Sequence, residues 1–160
     1  MLTKTEQPTK LYLDDFSVGQ IFRSASLRVT EADIKAFAEK FDPQPFHLDN
    51  AAAKATMFGG LAASGWHTAA ITMRLMVDGG APIAGGIIGA GMDELRWPKP
   101  VRPGDELTVV SEVLEIRPSR SRPTQGMMKL RSTTLNQNGE PVQIIVGNLV
   151  VPRRPDVAHT

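Results

Sequence analysis

The chain has 160 residues, enough for one compact domain with a sizeable core but too few for two domains of ordinary size. A net charge of +1 argues against nucleic acid as a partner, because surfaces that follow a phosphate backbone carry a clear basic excess. The chain contains no cysteine, which excludes disulfides, thiolate metal sites and cysteine nucleophiles.

No segment has the composition of a membrane span or a signal peptide. The N-terminal residues MLTKTEQPTKLYLDDF contain no long apolar run, and charged residues and glycines interrupt the weakly polar stretch 69–90. We therefore expect no membrane association and, by default, a cytoplasmic protein. Polar and proline-bearing termini predict a single domain over residues 1–160, ordered over about residues 11–152 and frayed outside them.

The first half of the chain predicts one strand followed by helices. Residues 20–29 show an imperfect β-type alternation. A capping-box-like start at Thr30 then precedes Ile34, Phe37, Ala38 and Phe41, whose spacing places them on one helical face.

Two further helices are predicted before residue 80. One begins at Asp49 or Asn50 and runs through three alanines. The longest covers LAASGWHTAAITMRLMVD, residues 61–78, after the glycine pair at 59–60. Because this segment is apolar or small nearly all round, we expect other structure to surround it.

The segment KFDPQPFHLDN at residues 40–50 is the stiffest part of the chain. Pro43 and Pro45 bias the residues before them away from helical angles, so residues 42–46 are predicted to run extended. This segment presents Asp42 and His47 five positions apart. From the spacing alone, a catalytic carboxylate and imidazole and an ordinary turn with a packed histidine are about equally supported.

The second half predicts an antiparallel meander. The sequence NQNGE indicates a hairpin between the last two strands, and VQIIVGNLVV is apolar on both faces, as expected for a strand covered on both sides. Helical segments followed by such a meander predict an α+β fold. The β-rich segments are residues 87–97, 105–117, 126–135 and 141–151.

These residues match the pattern of a known family. The chain resembles the MaoC-like dehydratases and R-specific enoyl-CoA hydratases, whose motif is approximately Asp-x-Asn-Pro-(Leu/Ile/Val)-His with Ala or Ser six residues later. Here it reads DPQPFH, from Asp42 to His47, with Ala53 in the later position. The family's His-Gly matches Ser64-Gly65, so Gln44 and Ser64 depart from the pattern.

The resemblance implies a hot dog fold, in which a curved antiparallel sheet wraps a long central helix. It also implies an acyl-thioester hydratase or dehydratase that converts a 2-enoyl-CoA to an (R)-3-hydroxyacyl-CoA, with coenzyme A as part of the substrate and no other cofactor. Asp42 and His47 would share a water, and the Gly65 amide would stabilise the thioester oxygen. Glycine would let the thioester approach closely. Ser64 would orient Asp42 or the water, or cap the helix.

Other ionisable residues have simpler interpretations. His67 is interpreted as a hydrogen-bonded core residue, and a metal site formed by Asp42, His47, Asp49 and His67 is disfavoured, so no metal is predicted. An arginine cluster at residues 117–122 is interpreted as a solvated hairpin tip, although it could also meet the phosphates of coenzyme A.

Two alternative functions remain open, and an oligomer is expected. A thioesterase would need an acid near the thioester carbon, and a non-catalytic module would hold acyl-CoA or serve as an assembly subunit. The resemblance also implies a homodimer or a higher homo-oligomer, because one such sheet leaves edges and apolar surface uncovered.

Overall fold

A five-stranded antiparallel sheet and one long helix make up most of residues 9–155, the part of the chain that the computed structural model describes. The helices are α1 (Glu31–Phe41), α2 (Pro45–Leu48), α3 (Asn50–Lys54) and α4 (Gly65–Gly79), with a 3-10 turn at Leu13–Asp15. The strands are β1 (Ile21–Arg28), β2 (Ile88–Arg96), β3 (Glu106–Pro118), β4 (Gln125–Leu135) and β5 (Pro141–Pro152), in the spatial order β1-β3-β4-β5-β2. The predicted α+β class is confirmed.

The hairpin between β4 and β5 follows the predicted turn chemistry. Asn136 accepts the amide hydrogens of Asn138 and Glu140 through its side-chain oxygen, at 3.0 Å each. Gly139 adopts a φ of 73°, which glycine tolerates best. Each residue of β5 from 142 to 151 is buried or half-buried, so the prediction that both faces of this strand are covered is confirmed.

The core forms where the inner face of the sheet meets α4. Ile71 and Leu75 of α4 pack in one cluster with Leu107, Val109 and Val142 of the sheet. Burial of these side chains holds α4 against the sheet. The core therefore fixes the position of the N-terminus of α4.

Two helical predictions need correction. The long helix begins at Gly65 rather than at residue 61, because Ser64 caps it by accepting the Trp66 amide hydrogen. Nor is it surrounded on all sides in this chain, since Met73 and Val77 are 46% and 64% exposed. In α1, Phe41 is 65% exposed and does not share the buried face of Ile34 and Ala38.

The C-terminal segment is held beyond residue 152. The Arg153 amide donates to Thr124 O at 2.7 Å, and its guanidinium pairs with Asp14 at 2.8 Å. The ordered region therefore extends past the predicted boundary at this end, whereas the outermost parts of both termini lie outside the described residues. Of the helices in residues 9–155, none combines the length and the apolar character needed to cross a bilayer.

Candidate active site

Asp42 lies where α1 ends. Its amide donates to Ala38 O at 2.9 Å, and its own carbonyl accepts the Gln44 amide hydrogen at 2.8 Å. Pro43 prevents the helix from continuing, because a residue before proline is pushed away from helical angles. The carboxylate is thereby presented at a sharp, locally bonded turn.

The second proline acts differently from the prediction. Pro45 is the first residue of α2, a one-turn helix, so the chain is extended at Gln44 but helical at Phe46 and His47. Proline is well suited to a first helical position, because its φ is already helical and its missing N–H is not needed there. The turn of helix brings His47 back towards Asp42.

The ring of His47 is fixed by contacts at both nitrogens. Nδ1 lies 2.7 Å from Ala62 O, and Nε2 lies 3.2 Å from Asp42 Oδ2. The Ala62 amide also donates to Phe46 O at 3.2 Å. Two hydrogen bonds, one from the backbone and one at the His47 ring, therefore join α2 to the segment before α4. Both members of the pair are largely withdrawn from solvent.

These contacts define where the protons lie. A carbonyl oxygen only accepts, so Nδ1 of His47 carries a hydrogen. Nε2 then faces a carboxylate oxygen, and that contact is favourable only when a proton lies between them. Asp42 and His47 therefore act as one unit that holds an exchangeable proton.

The pKa of Asp42 reflects competing effects. Burial raises it, but hydrogen bonds from Gln44 and Ser64, with the nearby His47, bring the pKa below its ordinary value. Gln44 Nε2 donates to Asp42 Oδ1 at 2.6 Å, so the longer side chain at this position contacts the carboxylate directly. Asp42 is accordingly ionised at neutral pH.

Ser64 caps α4, one of the two roles that the sequence left open. Its oxygen accepts the Trp66 amide hydrogen at 3.3 Å, and its hydroxyl helps to lower the pKa of Asp42. Ser64 is fully buried. It thus links the start of α4 to the carboxylate.

Gly65 is the first residue of α4, so its N–H has no acceptor within the helix. A Cβ built on Gly65 would lie 2.6 Å from Cε2 of Trp97. We predicted that a glycine at this position lets a thioester approach closely. In the structure the indole of Trp97 occupies that space.

A cleft of about 520 Å³ joins these groups. Its walls are mostly apolar, and the polar side chains among them are Asp42, His47, Thr68 and Lys99. The lining residues are Asp42, His47, Met57, Phe58, Ala63, Gly65, Trp66, Thr68, Trp97, Pro98, Lys99, Pro100, Val101 and Val142. A mainly apolar cleft with a few convergent polar groups is the usual form of a small-molecule site.

The remaining ionisable candidates lie elsewhere. His67 stacks on Phe37, with ring centroids 4.7 Å apart, and its buried Nδ1 has no partner among residues 9–155, so its interpretation as a hydrogen-bonded residue is wrong for that atom. Asp49 caps α3 by accepting the Ala51 amide hydrogen at 3.1 Å. Within the described part of the chain, no three histidine or acidic side chains are grouped to hold a metal ion.

Arg102 supports the site and was missed by sequence reasoning. Its guanidinium donates to Gly60 O at 2.8 Å and Leu61 O at 3.3 Å, and also to Phe58 O. These bonds hold the glycine-containing loop that precedes Ala62. The only signal in the sequence was an arginine beside a turn, which does not identify its partners.

Comparison with known proteins identifies the family. A family model described as MaoC-like domain matches residues 15–135. The chain belongs to the MaoC-like family. This MaoC-like chain is 38% identical over 139 residues to the uncharacterized protein YdeM of Bacillus subtilis (strain 168), which covers 87% of this chain and 96% of YdeM.

Solved structures agree with the family. The MaoC-like chain is 61% identical to the MaoC-like dehydratase from Rhodospirillum rubrum, with a TM-score of 0.89 over 91% of this chain and 99% of that one. It is 28% identical to the R-hydratase PhaJ1 from Pseudomonas aeruginosa, with a TM-score of 0.71 over 94% of each chain. The predicted hot dog fold is confirmed, and the similar proteins include an R-hydratase.

Proposed function

We propose that this MaoC-like protein is a hydro-lyase that reversibly adds water to a 2-enoyl-CoA and gives an (R)-3-hydroxyacyl-CoA. The observation that carries the proposal is the Asp42–His47 pair, which opens into the same cleft as the N-terminus of α4. The likeness to an R-hydratase supports both the reaction and the R configuration. Coenzyme A would enter as part of the substrate, with no separate cofactor.

The pair supplies the two proton transfers of the reaction. Asp42, with its lowered pKa, accepts a proton from water as the water oxygen bonds to the β-carbon of the double bond. His47 would give its Nε2 proton to the α-carbon. The proton on Asp42 then returns to Nε2 across their 3.2 Å contact, which restores the starting state.

The start of α4 supplies the electrostatic contribution. Negative charge develops on the thioester oxygen when the β-carbon is attacked. The N–H of Gly65, which has no acceptor within the helix and lies at the positive end of its 15 residues, would donate to that oxygen. This group is rigid before the substrate arrives, because Ser64 and the core hold the helix end in place.

The same proposal includes a homodimer. Strand β2 is at one end of the sheet, and within residues 9–155 it pairs with β5 alone, which leaves its other edge open to a partner. Ile88 and Met92 on this strand are exposed, and so are Met73 and Val77 on the nearby face of α4. A second copy placed against this edge would continue the sheet and cover the apolar residues.

The test is hydration of crotonyl-CoA by the purified protein, monitored as the loss of enoyl absorbance. Asp42→Asn and His47→Gln should each lower kcat about 100-fold or more without unfolding the protein. Asp49→Asn is the matched control, since Asp49 caps α3 outside the cleft and should leave kcat unchanged. Wild-type rates in either Asp42→Asn or His47→Gln would refute the mechanism.

A second readout separates the alternatives. Release of free thiol without hydration would identify a thioesterase. Binding of acyl-CoA without turnover would identify a non-catalytic module.

A further inference from the structure

We infer that Trp97 and Gln143 form a bridge that closes the inner end of the cleft and restricts the protein to short acyl groups. The inference rests on the proposed function, because it concerns the substrate class of the same site. It assigns a specificity-determining role to two residues outside the Asp42–His47 pair.

Trp97 forms the cleft wall beside the N-terminus of α4. It follows Arg96, which pairs with Ile144 of β5, so the indole lies next to Gln143 across the sheet. Its ring covers Gly65, and Trp66 packs against it edge to face with centroids 5.4 Å apart. An acyl group beside the Gly65 amide would therefore meet the indole.

Hydrogen bonds hold this wall in one position. The Trp97 Nε1–H donates to Gln143 Oε1 at 2.8 Å. Since an indole nitrogen only donates, the Gln143 oxygen must face Trp97, and its Nε2 donates to Thr72 Oγ1 at 2.9 Å. Thr72 donates to Thr68 O at 2.9 Å and accepts from Thr134 Oγ1 at 2.6 Å.

The centre of the bridge is buried, whereas Trp97 is 42% exposed where it lines the cleft. Gln143 has 0% of its surface exposed, and both ends of its amide are bonded. A buried polar network in which every group has a partner is rigid, because any displacement leaves a buried donor or acceptor unsatisfied.

A second cavity of about 180 Å³ lies next to the bridge. Thr72 belongs both to the bridge and to the wall of this cavity, and Ile145, two residues after Gln143 on the same face of β5, lines it as well. The other lining residues are Ala69, Met73, Met76, Ile87, Gly89, Gly91, Met92, Leu130, Ser132, Gly147 and Leu149. The cavity is almost wholly apolar and would suit the end of a long acyl chain.

The bridge keeps that apolar space separate from the cleft. A chain extending from the thioester along α4 meets the amide of Gln143 and the indole of Trp97 before it can reach the second cavity. Entry would break the hydrogen bonds of the fully buried Gln143 amide and leave that amide unpaired, which apolar contacts of a few methylenes do not offset. Acyl groups of crotonyl size should therefore be accepted and long ones rejected.

The experiment compares kcat/KM for crotonyl-CoA and 2-decenoyl-CoA. We expect the wild-type protein to prefer crotonyl-CoA on the order of 10-fold or more. Gln143→Ala removes the side chain between the two spaces and should reduce this preference about 10-fold, mainly through a lower KM for 2-decenoyl-CoA. Gln143→Met is the matched control, because it fills a similar volume without the amide and should keep the preference.

Several results would overturn the inference. Equal kcat/KM values for both substrates in the wild-type protein would do so without any variant. So would a Gln143→Met variant that accepts 2-decenoyl-CoA as readily as a folded Gln143→Ala variant does.

Calorimetric titration with the saturated esters butyryl-CoA and decanoyl-CoA separates this inference from the proposed function. Tighter binding of butyryl-CoA in a protein that does not hydrate crotonyl-CoA would refute the hydratase and keep the bridge. Rapid hydration of both enoyl esters would keep the hydratase and refute the bridge. If Gln143→Ala does not fold, the wild-type rates and titrations decide.

Discussion

Replacing Gly65 with alanine tests the contact between α4 and Trp97. The new methyl carbon would lie 2.6 to 2.8 Å from three atoms of the indole, so the ring must move. Overpacking of this kind costs about 1–3 kcal/mol. Displacing the ring also breaks its hydrogen bond to Gln143, which costs about 1 kcal/mol more. In the opposite direction, alanine lowers the conformational entropy of the unfolded chain, which stabilises the folded protein by up to about 1 kcal/mol. We expect Gly65→Ala to lower the free energy of unfolding by about 1–3 kcal/mol.

The measurement is urea unfolding monitored by circular dichroism, in which the midpoint should change while the m-value stays the same. Gly79→Ala is the matched control in the same helix, because its Cβ would meet its nearest neighbour at 3.5 Å, an ordinary contact. It should be neutral or stabilise the protein by up to about 1 kcal/mol. In a Trp97→Ala background, Gly65→Ala should lose its cost, with a coupling energy of about 1 kcal/mol or more. A Gly65→Ala protein as stable as the wild type would refute the packing argument.

Three further predictions concern stability and assembly. Burial lowers the pKa of His67 despite the opposing charge of Asp33, so the unfolded chain binds a proton more readily than the folded one. The contribution of neutral His67 to stability should be complete above the unfolded pKa near 6.5 and should fall as the pH decreases towards the lower folded pKa. Melting temperatures measured against pH should lose this dependence in His67→Phe. Arg102→Met should lower the unfolding free energy by about 2 kcal/mol in urea, and Arg102→Lys should recover only part, because lysine lacks the guanidinium fork. Val77→Asp should shift the proposed dimer to monomer in analytical ultracentrifugation. Val18→Asp should not, because Val18 is also 64% exposed but precedes β1, the strand at the opposite edge of the sheet from β2. A dimeric Val77→Asp protein would contradict the proposed interface.

The sequence predicted what depends on local periodicity and turn residues. The strands were found because alternation and NQNGE are local signals, and the motif identified Asp42 and His47 by their spacing. The extended run through Phe46 was wrong, because Pro45 serves equally well before a strand or at the start of a helix. Local sequence does not distinguish these two uses.

Other features depend on contacts between distant parts of the chain. Trp97 touches Gly65 and Gln143, and Arg102 reaches a loop more than forty positions earlier. No periodicity encodes such pairs. That His67 Nδ1 has no partner among residues 9–155 likewise depends on how α1 packs on α4, because Phe37 of α1 covers the ring.

Nδ1 of His47 is oriented by a main-chain oxygen, that of Ala62, whereas Nε2 faces the side chain of Asp42. Point substitutions at position 62 therefore leave the acceptor itself intact, provided the new side chain fits. A one-residue insertion or deletion between α3 and α4 would instead move the acceptor away from the ring. During divergence of this lineage, loop length in that interval should be under tighter selection than residue identity.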